Sequence, residues 1–168
     1  MGELSVRVPT QADRPAMERL WLMFQHDMSQ FRHDLPFTDG SFRTERLEAA
    51  FTDPDRVAYL VTSDDRPVAF AIVRGLNEHR RVMNSFFVVR GLRRSGVGLH
   101  AVREVVARHP GAWEIAFQGE NTGAVQFWRH TAEAIAPGRW TEELRAVPTR
   151  PELAPDSWIS FSTDARSR

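Results

Sequence analysis

The stretch from Phe86 to Gly98, which reads FFVVRGLRRSGVG, decides the fold. Its first four residues are apolar and predict a buried β-strand. A turn rich in arginine and glycine follows, and Leu99, Val102 and Val106 then recur at helical spacing. A strand that leads through a glycine-containing turn into a helix is typical of sites that bind phosphate at a helix N-terminus.

The residue types in this turn favour the binding of an anion. Gly96 and Gly98 let the main chain approach an anion without a Cβ atom in the way. The positive end of the helix dipole lies directly behind them. The side chains of Arg93 and Arg94 add charge-assisted hydrogen bonds. From the residues alone, a phosphate cradle and an ordinary turn with solvated arginines are both open, because short glycine motifs are common.

The amino-acid composition excludes several classes of function. The chain has 168 residues, the size of one globular domain, with 22 basic and 22 acidic residues and no cysteine. Every basic residue is an arginine. Without cysteine or lysine the chain can form no disulfide, thiolate metal site, acyl-cysteine or lysine Schiff base. Zero net charge without a basic run argues against nucleic acid as the main partner.

The sequence also lacks the features that are typical of membrane proteins, secreted proteins and metal sites. No apolar segment has the length of a membrane span, and the N-terminus lacks the apolar core of a signal peptide. We therefore expect a cytoplasmic protein with no membrane partner. The six histidines include no pair at metal-ligand spacing with a supporting carboxylate, so we expect no metal.

Periodicity predicts one α+β domain over residues 1–162, followed by a disordered tail over residues 163–168. The order of elements favours a mixed, mostly antiparallel sheet of six to seven strands flanked by about four helices. Strands are predicted at 4–8, 56–62, 67–74, 82–89, 113–118, 140–147 and 158–162. Helices are predicted after residue 13, at 42–51, up to residue 108 and from residue 121.

Two families of anion-binding proteins have a turn of this kind. Residues 96–101 match the dinucleotide motif G-x-G-x-x-A, with Glu120 after the next strand. However, six residues separate Val89 from Gly96, whereas the dinucleotide strand runs almost directly into its first glycine. Only 48 residues follow Glu120, too few for the rest of a doubly wound sheet. The dinucleotide hypothesis is therefore disfavoured.

The second family is supported by two motifs. Residues 93–98 match R/Q-x-x-G-x-G/A after an apolar strand, and residues 121–128, NTGAVQFW, match N-x-x-A-x-x-F-(Y/W). One helix and one strand separate them. In this order and spacing the chain resembles the acetyl-CoA-dependent N-acetyltransferase (GNAT) superfamily. The resemblance includes sequence motifs over about residues 80–130. Over almost all of the rest of the chain it consists of the same order of strands and helices.

The resemblance implies that acetyl-CoA is the cosubstrate and that an amine of a small molecule or peptide accepts the acetyl group directly. It also makes a homodimer through the C-terminal strands an expected assembly. Backbone groups from Phe86 to Val88 would hold the pantetheine arm and polarise the thioester, and Asn121 would contact the arm. By the same resemblance, the CoA-binding residues are Phe86, Phe87, Val88, Arg93, Arg94, Ser95, Gly96, Val97, Gly98 and Asn121.

The sequence departs from the family pattern at the proton donor. Many members carry tyrosine where this chain has Trp128, and an indole N–H cannot give up a proton at working pH. Tyr59, the one tyrosine, lies in the predicted hairpin. Trp128 could hydrogen bond to the sulfur or only pack on the cofactor. An acyl-CoA-binding module that does not turn over is therefore an alternative function.

The proton acceptor and the acceptor-substrate site are predicted from less specific signals. An amine near pKa 10 needs to lose a proton, and Glu78, just before the cradle strand, is the candidate general base. Glu114 could face either the cleft or solvent. The loop residues His33, Asp34 and Phe37 mix aromatic and acidic groups that would suit an amine with an apolar body.

Overall fold

The computed structural model describes residues 2–164. Its seven-stranded sheet has the order β1-β2-β3-β4-β5-β7-β6, and every neighbouring pair is antiparallel except the parallel pair β4 and β5. This confirms the predicted mixed, mostly antiparallel α+β fold and leaves no doubly wound sheet for a dinucleotide. The strands are β1 (Leu4–Arg7), β2 (Arg56–Ser63), β3 (Arg66–Arg74), β4 (Arg80–Val88), β5 (Ala112–Gln118), β6 (Trp140–Arg145) and β7 (Asp156–Ser162).

Four α-helices cover the two faces of the sheet. They are α1 (Arg14–Arg32), α2 (Glu45–Thr52), α3 (Val97–Arg108) and α4 (Thr122–Ile135). Strand residues alternate between two cores, as a period of two requires. Phe70 and Ile72 of β3 face the core formed with α1 and α2, whereas Ala71 and Val73 face the core formed with α3 and α4. We call these sides the α1/α2 face and the α3/α4 face.

The start of α2 differs from the sequence prediction, which placed it at Phe42. The helix begins at Glu45 because the segment before it is held by α1. The backbone carbonyl of Arg43 accepts a hydrogen bond of 2.8 Å from the indole N–H of Trp21 and one of 3.2 Å from the amide of Gln25. Because this carbonyl already accepts hydrogen bonds from side chains of α1, it is not needed as an acceptor within α2, and the helix begins after it.

Strands β4 and β5 pair at one end and separate at the other. Their ladder runs from Arg80 opposite Ala112 to Met83 opposite Ile115 and goes no further. At this point β4 contains one extra residue, Asn84, relative to its other neighbour β3. A bulge of this kind bends a strand and increases its twist. The β5-facing edge of β4 after Met83 is therefore left without a strand partner in the described part of the chain.

Three further observations concern the C-terminal segment, the edge of the sheet and the helices. Thr163, predicted to lie in the tail, exchanges hydrogen bonds of 2.8 and 3.0 Å with the backbone of Gly111, and residues 165–168 lie outside the described residues. Strand β6 forms one edge of the sheet, and the homodimer through the C-terminal strands stays a prediction. Within residues 2–164, no helix combines the length and the apolar character that crossing a bilayer requires.

Candidate active site

A cavity of about 640 Å³ lies beside the unpaired half of β4. The end of β4, the first turn of α3 and one side of α4 form its walls, and the C-terminal half of α1 lines it on the other face of the sheet. This volume is in the range of cofactor and small-molecule sites. Because α1 and α4 lie on opposite faces, the cavity connects those two faces past the edge of β4.

The turn between β4 and α3 has the geometry of an anion cradle. Arg94 and Gly96 both have left-handed backbone conformations, with φ of 63° and 90°. Alternating conformations of this kind aim successive N–H groups at one point. Helix α3 begins at Val97, so the N–H groups of its first turn have no partner inside the helix. The Ser95 hydroxyl donates a 2.6 Å hydrogen bond to the carbonyl of Leu92 and fixes the turn.

Gly98 is needed for a close approach between two helices. A Cβ atom at this position would lie 2.9 Å from Cε2 of Phe127 on α4 and 3.7 Å from Val88. Real Cβ contacts are not that short, so glycine lets the first turn of α3 pack against the aromatic wall of the cavity. The two glycines of the motif thus have different roles: Gly96 shapes the backbone and Gly98 makes room.

An ion-pair cluster ties α1 to the cradle. Asp27 of α1 accepts hydrogen bonds from both Arg90, at 2.7 Å, and Arg93. The Nε atom of Arg93 also donates to the carbonyl of Val88, at 2.9 Å. Burial alone would raise the pKa of Asp27, but the hydrogen bonds from Arg93 and Arg90 outweigh it and hold the pKa below its usual value. Arg93 therefore braces the cradle through its side chain.

Three aromatic rings form the wall opposite α1. Phe86 stacks on Phe127 with ring centroids 5.5 Å apart and 4° between planes, and it meets Trp128 edge-on at 5.3 Å. Only 6% of Trp128 is exposed. Among the residues that the structure describes, no hydrogen-bond acceptor contacts its indole N–H. Asn121 caps α4, accepting a 3.0 Å bond from the N–H of Ala124.

Most of the predicted CoA-binding residues lie around this one cavity. Ser95 and Val97 do not line it: the Ser95 hydroxyl is used inside the turn, and the Val97 side chain is fully buried in the core. Their backbone N–H groups belong to the cradle all the same. The predicted residues that do line the cavity are Phe86, Phe87, Val88, Arg93, Arg94, Gly96, Gly98, Asn121 and Trp128.

The predicted base and acceptor-site residues lie elsewhere. Glu78 is exposed in the turn before β4, at the end of that strand opposite the cradle. His33 ends α1 in a left-handed conformation, and neither it nor Asp34 or Phe37 lines the cavity. Their roles stay predictions. The cavity is instead lined by the residues of α1 just before them, including Phe31.

Glu114 faces the α1/α2 side and is engaged by arginines. Its carboxylate accepts bonds of 2.7 Å from Arg80 and 3.0 Å from Arg145, and only 9% of the residue is exposed. The hydrogen bond from Arg145, opposed by burial and helped by Arg80, lowers the pKa of Glu114. A carboxylate held in this way is a weak base at neutral pH. Tyr59 is buried in the α3/α4 core, where its hydroxyl contacts His109 at 2.6 Å, so it is not the missing acid.

Several lining residues escape the sequence analysis. Asp27, Arg90 and His130 belong to no motif, and Phe24 and Met28 have the spacing of ordinary core residues. The available signal was the position of Asp27 one residue before Met28, where an acidic residue adjoins the apolar stripe. In residues 2–164, no cluster of three or more histidine, aspartate or glutamate side chains could hold a metal ion.

Comparison with solved structures supports the fold. A probable acetyltransferase from Staphylococcus epidermidis has 16% identity and a TM-score of 0.70, covering 96% of this chain and 100% of that one. Mycobacterium smegmatis RimJ in complex with CoA-disulfide has 15% identity and a TM-score of 0.68, with coverages of 99% and 85%. The ribosomal-protein-S18-alanine N-acetyltransferase from Escherichia coli has 14% identity and a TM-score of 0.64, with coverages of 99% and 97%.

Sequence comparison identifies the family. A search of curated proteins finds no significant match. The model of the acetyltransferase (GNAT) family matches residues 17–132, more than half of the chain. This range contains most of α1, the cradle, the unpaired edge of β4 and most of α4. The chain therefore belongs to the GNAT acetyltransferase family and is an N-acetyltransferase.

Proposed function

We propose that this protein transfers the acetyl group of acetyl-CoA directly to an amine of a small molecule or peptide, with both substrates bound at once. One observation carries the proposal: a single cavity contains both the anion cradle of α3 and the unpaired edge of β4. The cradle suits a pyrophosphate. The strand edge suits the two amides of a pantetheine arm, because it offers free backbone donors and acceptors.

Different residues of the cavity would bind different parts of acetyl-CoA. Backbone N–H groups from Arg94 to Gly98 would hold the pyrophosphate, and the Asp27 cluster fixes the turn that presents them. The backbone of Phe86 to Val88 would align the arm along β4 and donate a hydrogen bond to the thioester oxygen. Such a donor stabilises the negative charge that develops on this oxygen during attack.

The reaction balances without a covalent enzyme intermediate. The lone pair of the amine attacks the thioester carbon, the C–N bond forms, and the C–S bond breaks to release CoA as a thiolate. The proton leaves the amine to water, because Glu114 is held by arginines and Glu78 lies outside the cavity. The thiolate takes a proton from solvent. Holding the two reactants side by side supplies several kcal/mol of the barrier reduction.

The alternative, an acyl-CoA-binding module without turnover, is favoured by two observations. Trp128 stands where many family members have tyrosine, and Glu114, a buried carboxylate near the point where β4 and β5 separate, is engaged in ion pairs. Among the described residues, both leave the cavity without a tyrosine that could donate a proton and without a free carboxylate that could accept one. A module of this kind would bind CoA through the same cradle.

The experiment is a thiol-release assay with acetyl-CoA and a panel of amines, with the acetylated products identified by mass spectrometry. We expect release with at least one amine, and double-reciprocal plots that intersect when both substrates are varied. Parallel lines would contradict direct transfer. Binding of CoA measured by calorimetry, together with no release on any amine, would establish the module instead.

A further inference from the structure

An arginine of α2 lies against the bulge of β4. Nη1 of Arg46 is 3.4 Å from the carbonyl oxygen of Asn84 and 3.4 Å from the hydroxyl of Ser85. Asn84 is the extra residue at which β4 separates from β5. The guanidinium of Arg46 therefore lies on the α1/α2 face at the beginning of the unpaired edge, where a thioester aligned along β4 would end.

Two more arginines share this face. Arg56 of β2 and Arg74 of β3 are directly opposite each other in the ladder. Each lies two residues from a residue of the α1/α2 core, Ala58 and Ile72 respectively, so both point to the same side. Arg46 is exposed as a residue, but desolvation of its guanidinium against the sheet lowers its pKa, and the charges of Arg56 and Arg74 lower it further. The three cations are thus close enough to repel one another.

The positive charge of this cluster is only partly neutralised. Arg56 is paired with Asp53 at 3.3 Å. No carboxylate of residues 2–164 lies within ion-pair distance of Arg46 or Arg74. Other arginines of residues 2–164 also lack such a pair, but Arg46 differs from them in lying at the bulge where β4 separates from β5, with Arg74 two residues along β3 from the position opposite Ser85. Two neighbouring guanidiniums without an acidic partner at this place favour a bound anion.

We propose that the acetyl acceptor is an amine that also carries a carboxylate, as an amino acid does, and that Arg46, supported by Arg74, binds that carboxylate. This inference rests on the proposed function. The acceptor enters from the α1/α2 face, because α3 and α4 hold the cofactor side of the gap. Its carboxylate on Arg46 leaves the amine a few bonds away, at the edge of β4. A polyamine, with several positive charges, is repelled by the same cluster.

The test compares each amino acid with its amide, because amidation removes the negative charge and keeps the amine and side chain. We expect kcat/KM with the amino acids to exceed that with the amides and with spermidine by at least about tenfold. Arg46→Gln removes a charge-assisted hydrogen bond and should lower kcat/KM for the amino acids about 10- to 100-fold, through KM. Its rate with the amides should change less than about threefold, and Arg46→Lys should restore part of the loss.

Arg66→Gln is the matched control, since it removes the same charge from the exposed start of β3, about 25 Å along the strand from Arg74. It should leave both rates unchanged, and an unchanged KM for acetyl-CoA shows that each variant is folded. Amides or spermidine that react as well as the amino acids, or equal losses on acids and amides in Arg46→Gln, would overturn the inference while leaving the proposed function intact.

The outcome remains decisive if no amine reacts. In that case the proposed function fails, and amino acids are titrated into the CoA-bound protein by calorimetry. Binding that weakens at least tenfold in Arg46→Gln, but not in Arg66→Gln, supports the carboxylate site. An absence of such binding overturns it.

Discussion

Gly96→Val separates the role of the cradle from the stability of the fold. Gly96 has φ of 90°, and a Cβ atom added there would meet no atom within 4 Å. The substitution therefore creates no clash, and its cost to folding is the left-handed conformation, about 1–2 kcal/mol for a residue other than glycine. A domain of this size withstands such a loss.

The cost to CoA binding is larger. Gly96 lines the cavity, so the added side chain projects into the space where the phosphates approach the N-terminus of α3. Losing two hydrogen bonds between backbone N–H groups and a charged phosphate costs about 3–6 kcal/mol, since each contributes about 1.5–3 kcal/mol. At about 1.4 kcal/mol per factor of ten, the dissociation constant of CoA rises at least about 100-fold.

The matched control is Gly138→Val. Gly138 also has a left-handed conformation, with φ of 65°, and open space around its Cβ position, but it lies in the turn after α4 and does not line the cavity. Urea unfolding should show similar destabilisation of the two variants. Calorimetry should show weakened CoA binding only in Gly96→Val. Equal CoA affinity in both variants would refute the assignment of the cradle.

Two further predictions concern Trp128 and His109. Trp128→Phe keeps the packing against Phe86, so kcat should fall less than about tenfold. Trp128→Tyr should raise kcat, because the tyrosine supplies a proton donor. A loss of 100-fold or more in Trp128→Phe would show that the indole N–H acts in the reaction. Burial lowers the pKa of His109 in the folded protein from 6.5, and the charges of Arg81 and Arg108 lower it further. Below about pH 6.5 the unfolded chain therefore binds more protons at this residue than the folded protein does, so the free energy of unfolding falls as the pH drops. Thermal unfolding at about pH 7.5 and 5.5 should show a smaller pH effect in His109→Gln than in the parent protein, and equal effects in both would contradict this cause.

The elements and the cofactor motif could be predicted because local patterns encode them. The strand–turn–helix stretch from Phe86 onwards carries its own periodicity and its own glycines, and Asn121 is followed by an amphipathic helix that it caps. These features depend on residues near one another in the chain. The start of α2 was misplaced because the bond from Trp21 to the carbonyl of Arg43, which holds that segment out of the helix, joins residues 22 positions apart.

The long-range contacts around the separation of β4 and β5 could not be predicted for the same reason. The bulge at Asn84 adds one residue to an apolar strand and leaves the pattern of β4 almost unchanged, so the gap between β4 and β5 has no sequence signal. Asp27 is separated from Arg90 by 63 residues and Arg46 from Asn84 by 38. A charge that functions through a distant partner has no local signature, whereas a glycine that needs a left-handed conformation does.

The arginine cluster also bears on how the acceptor amine would lose its proton. An ammonium beside Arg46 and Arg74 is disfavoured by like charge, so the pKa of an amine bound there is lowered. The carboxylate of the same acceptor is attracted, which holds the molecule in place while its amine loses a proton. Water can then accept this proton near neutral pH, and a free carboxylate in the cavity is not required. The engagement of Glu114 by Arg80 and Arg145 is consistent with such a site, because the two guanidiniums offset a negative charge that would otherwise stabilise the protonated amine.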